Sequence, residues 1–170
     1  MWRNLAASQG GIIMQVESPK LRLLAHDCDD VGVLSALLQD AIIPGSDMSF
    51  DRKLNEFVIV ANRFCWELGP AYGVKSSDGK TVHERRLCGI RIGRVRAVRH
   101  YNWPKIRQNN LFNLLALRHV DMEEQVGGGA VLQFDFSGGS SLRLNVVDID
   151  IVLADLGAGH PTRLRPGHKF

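Results

Sequence analysis

A chain of 170 residues, 45% hydrophobic and 23% charged, is long enough to bury one core without covalent staples. Its formal charge of +3 is too nearly balanced for a dedicated nucleic-acid binder, and no apolar run approaches the length that spans a bilayer. Three cysteines, Cys28, Cys65 and Cys88, show no pairing rhythm and no CxxC, which argues against a secreted disulfide framework and for free thiols in a cytoplasmic protein.

Met1–Ile13 has no clear periodicity, and Ser8 to Gly11 interrupt any signal-peptide core. Residues 1–20 therefore read as a flexible extension, with Met14 a candidate start. Leu21 to Ala25 is a short predicted strand. Asp27 or Asp29 then caps a helix whose apolar face is Val31, Leu34, Leu38, Ala41 and Ile42, stopped by Pro44-Gly45. Met48 and Phe50 precede a polar turn, Asp51 to Asn55. Phe57 to Trp66 follows, apolar on both parities at first and on one later, the pattern of a strand that crosses a sheet centre and emerges at its rim. Gly69 to Lys80 reads as a long exposed loop.

Val82 to His100 reads as one strand with a defect. Ile90 and Ile92 share a face, while Val95 and Ala97 have the opposite parity. A bulge at Gly93-Arg94 brings all four inward and sets Arg91, Arg94 and Arg96 together on the outer side. Phe112 to Val120 is a further strand. Val131 to Phe136 points Leu132, Phe134 and Phe136 inward. Ser137-Gly138-Gly139-Ser140 is a two-residue hairpin signal, and Leu142, Leu144 and Val146 return inward with Arg143 and Asn145 outward. Asp148 is predicted to cap a short second helix carrying Ile149, Val152, Leu153 and Leu156, ended by Gly157. Residues 158–170 read as a polar basic tail.

The element order predicts one α+β domain over residues 21–157: a mostly antiparallel, strongly bent sheet of six to seven strands with an N-terminal helix and a short C-terminal helix. This order resembles that of pleckstrin-homology-like barrels.

Between His83 and Arg107 eight basic residues face one acid, Glu84, so the rest of the chain is net negative. This asymmetry points to Arg91, Arg94, Arg96 and Arg99 as an anion-binding face, since guanidinium forks suit phosphates and carboxylates. Tyr101 and Trp103 lie just beyond. The alternative is a solvated face in which the arginines pair across strands with Glu56, Asp121 or Asp135.

No other motif carries chemistry. His26-Asp27-Cys28-Asp29-Asp30 cannot aim its ligands at one metal once a helix begins. As nucleophiles, Cys28, Cys65 and Cys88 would each need a base such as His83, His100 or His119, and core thiols are the plainer account. Gly127-Gly128-Gly129 lacks the Lys-Ser or Lys-Thr of a phosphate loop. The expectation is a non-enzymatic binding or adaptor domain for an acidic protein or anionic ligand, without cofactor, metal, catalytic residue or membrane. Two alternatives remain. One is a small enzyme on an anionic metabolite under the Gly69–Lys80 loop, with His83 or His100 as base; the other is a weak, non-specific RNA binder.

Leu21 to Ala25, Leu34 to Ala41, Asn62-Arg63-Phe64-Cys65-Trp66-Glu67, Leu114 to Arg118 and Leu153 to Gly157 resemble segments of one family. It is a group of small, mainly alphaproteobacterial cytosolic proteins known only as a domain of unknown function. The resemblance covers about Leu21 to Pro166 and implies no activity, cofactor or catalytic residue.

Overall fold

A computed structural model describes residues 18–68, 81–120 and 128–167. The expected Gly69–Lys80 loop and most of the 1–20 extension lie outside these residues, as does Asp121.

β1 (Arg22–Ala25) leads into α1 (Cys28–Leu38). Asp27 is the N-cap, its carboxylate accepting the Asp30 N–H at 2.8 Å, with Asp29 and Asp30 near the positive helix end. Val31, Leu34 and Leu38 are buried, as the periodicity requires. The helix stops one turn earlier than predicted. Asp40 is left-handed (φ 61°), and its N–H donates to Leu114 O while Ala41 O accepts from Leu114 N. Ala41 and Ile42 are thus drawn into the sheet, where β2 (Ile42–Pro44) begins.

β3 (Met48–Asp51) and β4 (Glu56–Phe64) form a hairpin whose turn is held by Asp51 Oδ1 accepting from Lys53 N and Leu54 N. β5 (His83–Ile92), β6 (Val95–Tyr101), β7 (Leu111–Val120), β8 (Ala130–Phe136) and β9 (Ser141–Val146) follow. The chain closes with β10 (Ile151–Asp155) and β11 (His160–Thr162). The antiparallel sheet has eleven strands in the order β1-β10-β5-β4-β2-β7-β8-β9-β6, with β3 on β4 and β11 on β5.

Three expectations need correction here. The strand count exceeds six to seven because the Val82–His100 segment divides into β5 and β6, the predicted second helix is β10, and the short strands β2, between β4 and β7, and β11, on β5, add pairings. The second helix does not form: Ile151 and Leu153 alternate inward as β10, because the β-branched run Val146, Val147, Ile149, Ile151, Val152 fits a pleated surface better than a helix. With it goes the closing helix on which the pleckstrin-homology-like likeness rested; α1 is the one α-helix among the described residues. Finally, the start of the polar tail is a strand, with His160, Pro161 and Thr162 opposite Arg85, Glu84 and His83.

Between β5 and β6 the ladder is interrupted at Gly93-Arg94, but as a corner and not as a bulge. β5 pairs with β4, β10 and β11, whereas β6 pairs with β9. Arg94 is left-handed (φ 56°), and three backbone bonds pin the corner: Gly93 N to Asp150 O, Val147 N to Arg94 O and Val95 N to Asn55 O. Because β6 ends the sheet path and β5 lies near its other end, this corner curls the sheet around one core. The register shift comes next, between Val95 and Ala97. Ala97 therefore stands opposite Asn145, and Val98, opposite Leu144, takes the inward place predicted for Ala97.

The β8–β9 hairpin matches its predicted alternation, with Leu132, Phe134, Phe136, Leu142, Leu144 and Val146 all buried. Its loop has three residues and not two: Phe136 N donates to Ser140 O, with Gly138 and Gly139 both at φ 82°. Only glycine adopts that conformation without strain.

β4 reverses the predicted burial. Phe57, Ile59 and Ala61 face the core while Val58 is exposed, and both parities are buried only at Arg63 and Phe64. The cause lies in the inward rows of β10, β5 and β4. Ile151, Ile92 and Phe57 form one row and Leu153, Ile90 and Ile59 the next. Asp155, Cys88 and Ala61 follow, and then Arg86 and Arg63. The apolar core thus ends in a buried layer of charge.

In that layer Arg63 donates from Nε to Asp155 Oδ1 at 2.8 Å and from Nη2 to Asp155 Oδ2 at 2.9 Å. It also makes two bonds to Glu67, at 2.8 and 3.0 Å. Arg86 bonds Glu84, Pro19 O and Ser18 O, and Leu21 N donates to Asp155. The end of the predicted extension is therefore tied to the domain at Ser18 and Pro19. Burial disfavours the Arg63 charge, but the bonds to Asp155 and Glu67 outweigh it and hold its pKa above the ordinary value. Burial likewise opposes ionisation of Asp155, and is outweighed by the bonds from Arg63 and Leu21 N and the charges of Arg63 and Arg86, so its pKa is lowered.

Candidate functional site

The four arginines singled out in the sequence do not share one arrangement. Arg91, on the outer face of β5, is held between Glu56 at 3.0 Å and Asp150 at 3.3 Å. Arg94, at the corner, pairs with Asp148. The cross-strand pairing foreseen with Glu56 thus accounts for Arg91, and that foreseen with Asp135 occurs at Arg118 instead. Arg94 and Arg96 line a half-open cleft of about 270 Å³ with Leu54, Asn55, Val95 and Val147. Arg91 and Arg99 do not line it.

Arg99 belongs to a different constellation. Leu142 and Leu144 point into the core, so Arg143 between them points out, and register places Arg99 directly opposite it. Gln133 is the next residue across on β8, and Arg118 the next on β7. The outer row is Arg99, Arg143, Gln133, Arg118, about 14 Å long at the usual strand spacing. Beside it run Tyr101, Ser141 and Asp135. Arg96, beyond the register shift, donates to Gly128 O at 3.1 Å.

A hydrogen-bond relay sets the geometry of this face. Arg143 Nε donates to Gln133 Oε1 at 2.5 Å, Gln133 Nε2 donates to Asp135 Oδ1 at 2.6 Å, and Arg118 Nε donates to Asp135 Oδ2 at 2.7 Å. The Arg143 guanidinium lies 5.0 Å from the Tyr101 ring centroid. Asp135 is thus engaged twice, while Arg99 has no hydrogen bond or ion pair among the described residues. Like charges directly opposite on neighbouring strands repel. An anion placed between Arg99 and Arg143 would turn that repulsion into two charge-assisted bonds. Arg143 and Arg118 escaped the sequence argument because they lie outside the basic stretch; the outward parity of Arg143 was the available signal.

The proposed bases also find places. His83 packs on Phe64 at 5.3 Å and His100 on Trp103 at 4.7 Å. Burial, then the charge of Arg107, holds the His100 pKa below its ordinary value. The three thiols are free, as expected. Cys65 and Cys88 are buried, and burial pushes each thiol up to about 12. Cys28 departs from the core-thiol expectation: it is exposed, because α1 begins at the protein surface. Its Sγ is 3.3 Å from His119 Nδ1. Among the described residues no three metal-ligating side chains gather at one point, and no helix is long and apolar enough to cross a membrane.

No curated protein and no solved structure matches the chain. A family model described as "Protein of unknown function (DUF2948)" matches residues 21–168, which takes in every strand and the helix described above, and the chain belongs to that family.

Proposed function

We propose that the protein is a binding module that docks an acidic protein segment at the Arg99–Arg143 end of the Arg99–Arg143–Gln133–Arg118 row. The observation that carries this reading is the placement of Arg99 opposite Arg143 with no carboxylate between them. Tyr101 and the Gln133 relay hold Arg143 in position before any ligand arrives, which lowers the ordering cost of binding. A row of guanidiniums on a rigid sheet suits successive carboxylates of an extended chain. Arg91 and Arg94 lie off this row and are neutralised by acids, and Arg118, itself paired with Asp135, steadies the relay while Arg99 and Arg143 hold the ligand. Free thiols suit a cytosolic setting for this module.

The test is titration of the ¹⁵N-labelled protein with a short oligoglutamate peptide, followed at the arginine Nε–H resonances. Shifts at Arg99 and Arg143 are expected, weakening as salt rises. Arg99→Gln and Arg143→Gln should each weaken binding about 10- to 100-fold, the equivalent of losing one charge-assisted bond. Melting temperature should stay nearly constant. Normal peptide binding by the double variant would refute the reading. Tighter binding of a single-stranded RNA, with a steep linear dependence of log affinity on log salt, would replace the protein ligand with nucleic acid.

A further inference from the structure

The Cys28–His119 pair lies apart from the arginine row, on the opposite face of β7 from Arg118. Cys28 is the first residue of α1 and His119 sits near the end of β7, 91 positions away. Their approach is built into the fold. α1 packs across β7, and Leu117 N donates to Ser35 Oγ at 2.9 Å, which locks the helix to the strand two residues before His119. The first N–H groups of a helix have no intrahelical acceptor. Here Asp27 accepts that of Asp30, and Cys28 and Asp29 are the first two residues of the same turn. A nucleophilic sulfur, a nitrogen base at hydrogen-bond distance and backbone donors at a helix N-terminus are the parts of an acyl-transfer centre.

We propose that Cys28 and His119 form a nucleophilic dyad that takes an acyl group from an activated thioester or ester. Sγ attacks the carbonyl carbon while its proton passes to Nδ1. The oxygen gains negative charge, and the helix-start N–H groups are the local donors for it. The tetrahedral adduct then collapses, the bond from carbon to the leaving sulfur or oxygen breaks, and the imidazolium returns the proton to the leaving group. The acyl group ends on Cys28, with no change of oxidation state. Asp27, Asp29 and Asp30 make the N-cap and first turn of the helix acidic, which favours a neutral or cationic acyl donor.

The probe is p-nitrophenyl acetate, with nitrophenolate release followed optically and the adduct located by intact mass and peptide mapping. One acetyl group should appear on Cys28, with Cys65 and Cys88 unlabelled in the native protein. The rate should exceed that of N-acetylcysteine amide at the same pH by at least about tenfold, and His119→Gln should lower it about 10²-fold, the low end of a general-base contribution. Cys28→Ser should abolish the adduct. Unchanged labelling in a folded His119→Gln protein, or an adduct mapping to Cys65 or Cys88, would overturn the proposal. Should His119→Gln fail to fold, the comparison with the free thiol decides: a native Cys28 no faster than N-acetylcysteine amide is merely exposed.

Discussion

Asp155→Asn tests whether the buried charge layer holds one end of the fold together. The Asp155 side chain is 0% exposed and accepts two bonds from Arg63 and one from Leu21 N. It also lies 3.5 Å from Arg86 Nη1. Asparagine keeps the shape and one acceptor oxygen but removes the charge, leaving Arg63 to Glu67 and Arg86 to Glu84. Removing one member of a buried pair costs about 3–5 kcal/mol, and the retained acceptor places this change at the low end, about 3 kcal/mol. For a chain of this size that is a fall in melting temperature of about 6–12 °C. Calorimetry and urea unfolding measure it directly. Hydrogen exchange adds a local readout: amides of β1 should exchange faster, because Leu21 loses its anchor. The double variant Arg63→Met/Asp155→Leu should be less destabilised than the sum of its single changes, since it removes the charges together. If Asp155→Asn stays within about 1 kcal/mol of the wild type, the end of the core is held by apolar contacts and the layer is incidental.

Two further outcomes follow from the structure. The folded pKa of Asp155 is lowered, so its stabilisation is complete above the unfolded carboxylate value of about 3.9 and disappears as pH falls below it. The stability gap between wild type and Asp155→Asn, measured by urea unfolding, should therefore be constant from neutral to mildly acidic pH and shrink under stronger acid; a constant gap at all pH values would contradict the lowered pKa. Gly45→Ala should destabilise by about 1–3 kcal/mol, as overpacking does. A Cβ there would lie 2.0 Å from Arg107 O, and backbone cannot yield as a side chain can. An unchanged melting curve would show that the 102–110 connection is looser than its packing suggests.

How much of this was legible before the structure depends on the sequence distance over which each feature is decided. The Asp27 cap, the Asp51–Asn55 turn and the β8–β9 hairpin are settled by neighbours a few residues apart, so periodicity and turn chemistry reveal them. The break at Gly93-Arg94 was visible too, as a change of parity between Ile92 and Val95. What it became was not visible, because bulge and corner differ only in which strand pairs with β6, and β9 lies some forty residues on. β10 failed differently: its apolar spacing fits helix and strand alike, and its β-branched residues and the pairing with β1 and β5 together decide for the strand.

The arginines carry the same lesson into function. Local charge counting ranked Arg91, Arg94, Arg96 and Arg99 together, because few acids lie nearby in sequence. Yet Arg91 and Arg94 are neutralised by Glu56, Asp150 and Asp148, residues 35 to 59 positions away. Arg63 and Arg86 are buried by Asp155 and Glu84, and only inward parity at the end of two apolar strands hinted at it. Arg99 stays unneutralised for an equally remote reason: the register of β6 on β9 sets another arginine opposite it. A basic stretch therefore says where cations are, while long-range register decides which of them are spent on the fold. Those left facing one another, as Arg99 and Arg143 do, are the ones with electrostatic attraction still to offer a ligand.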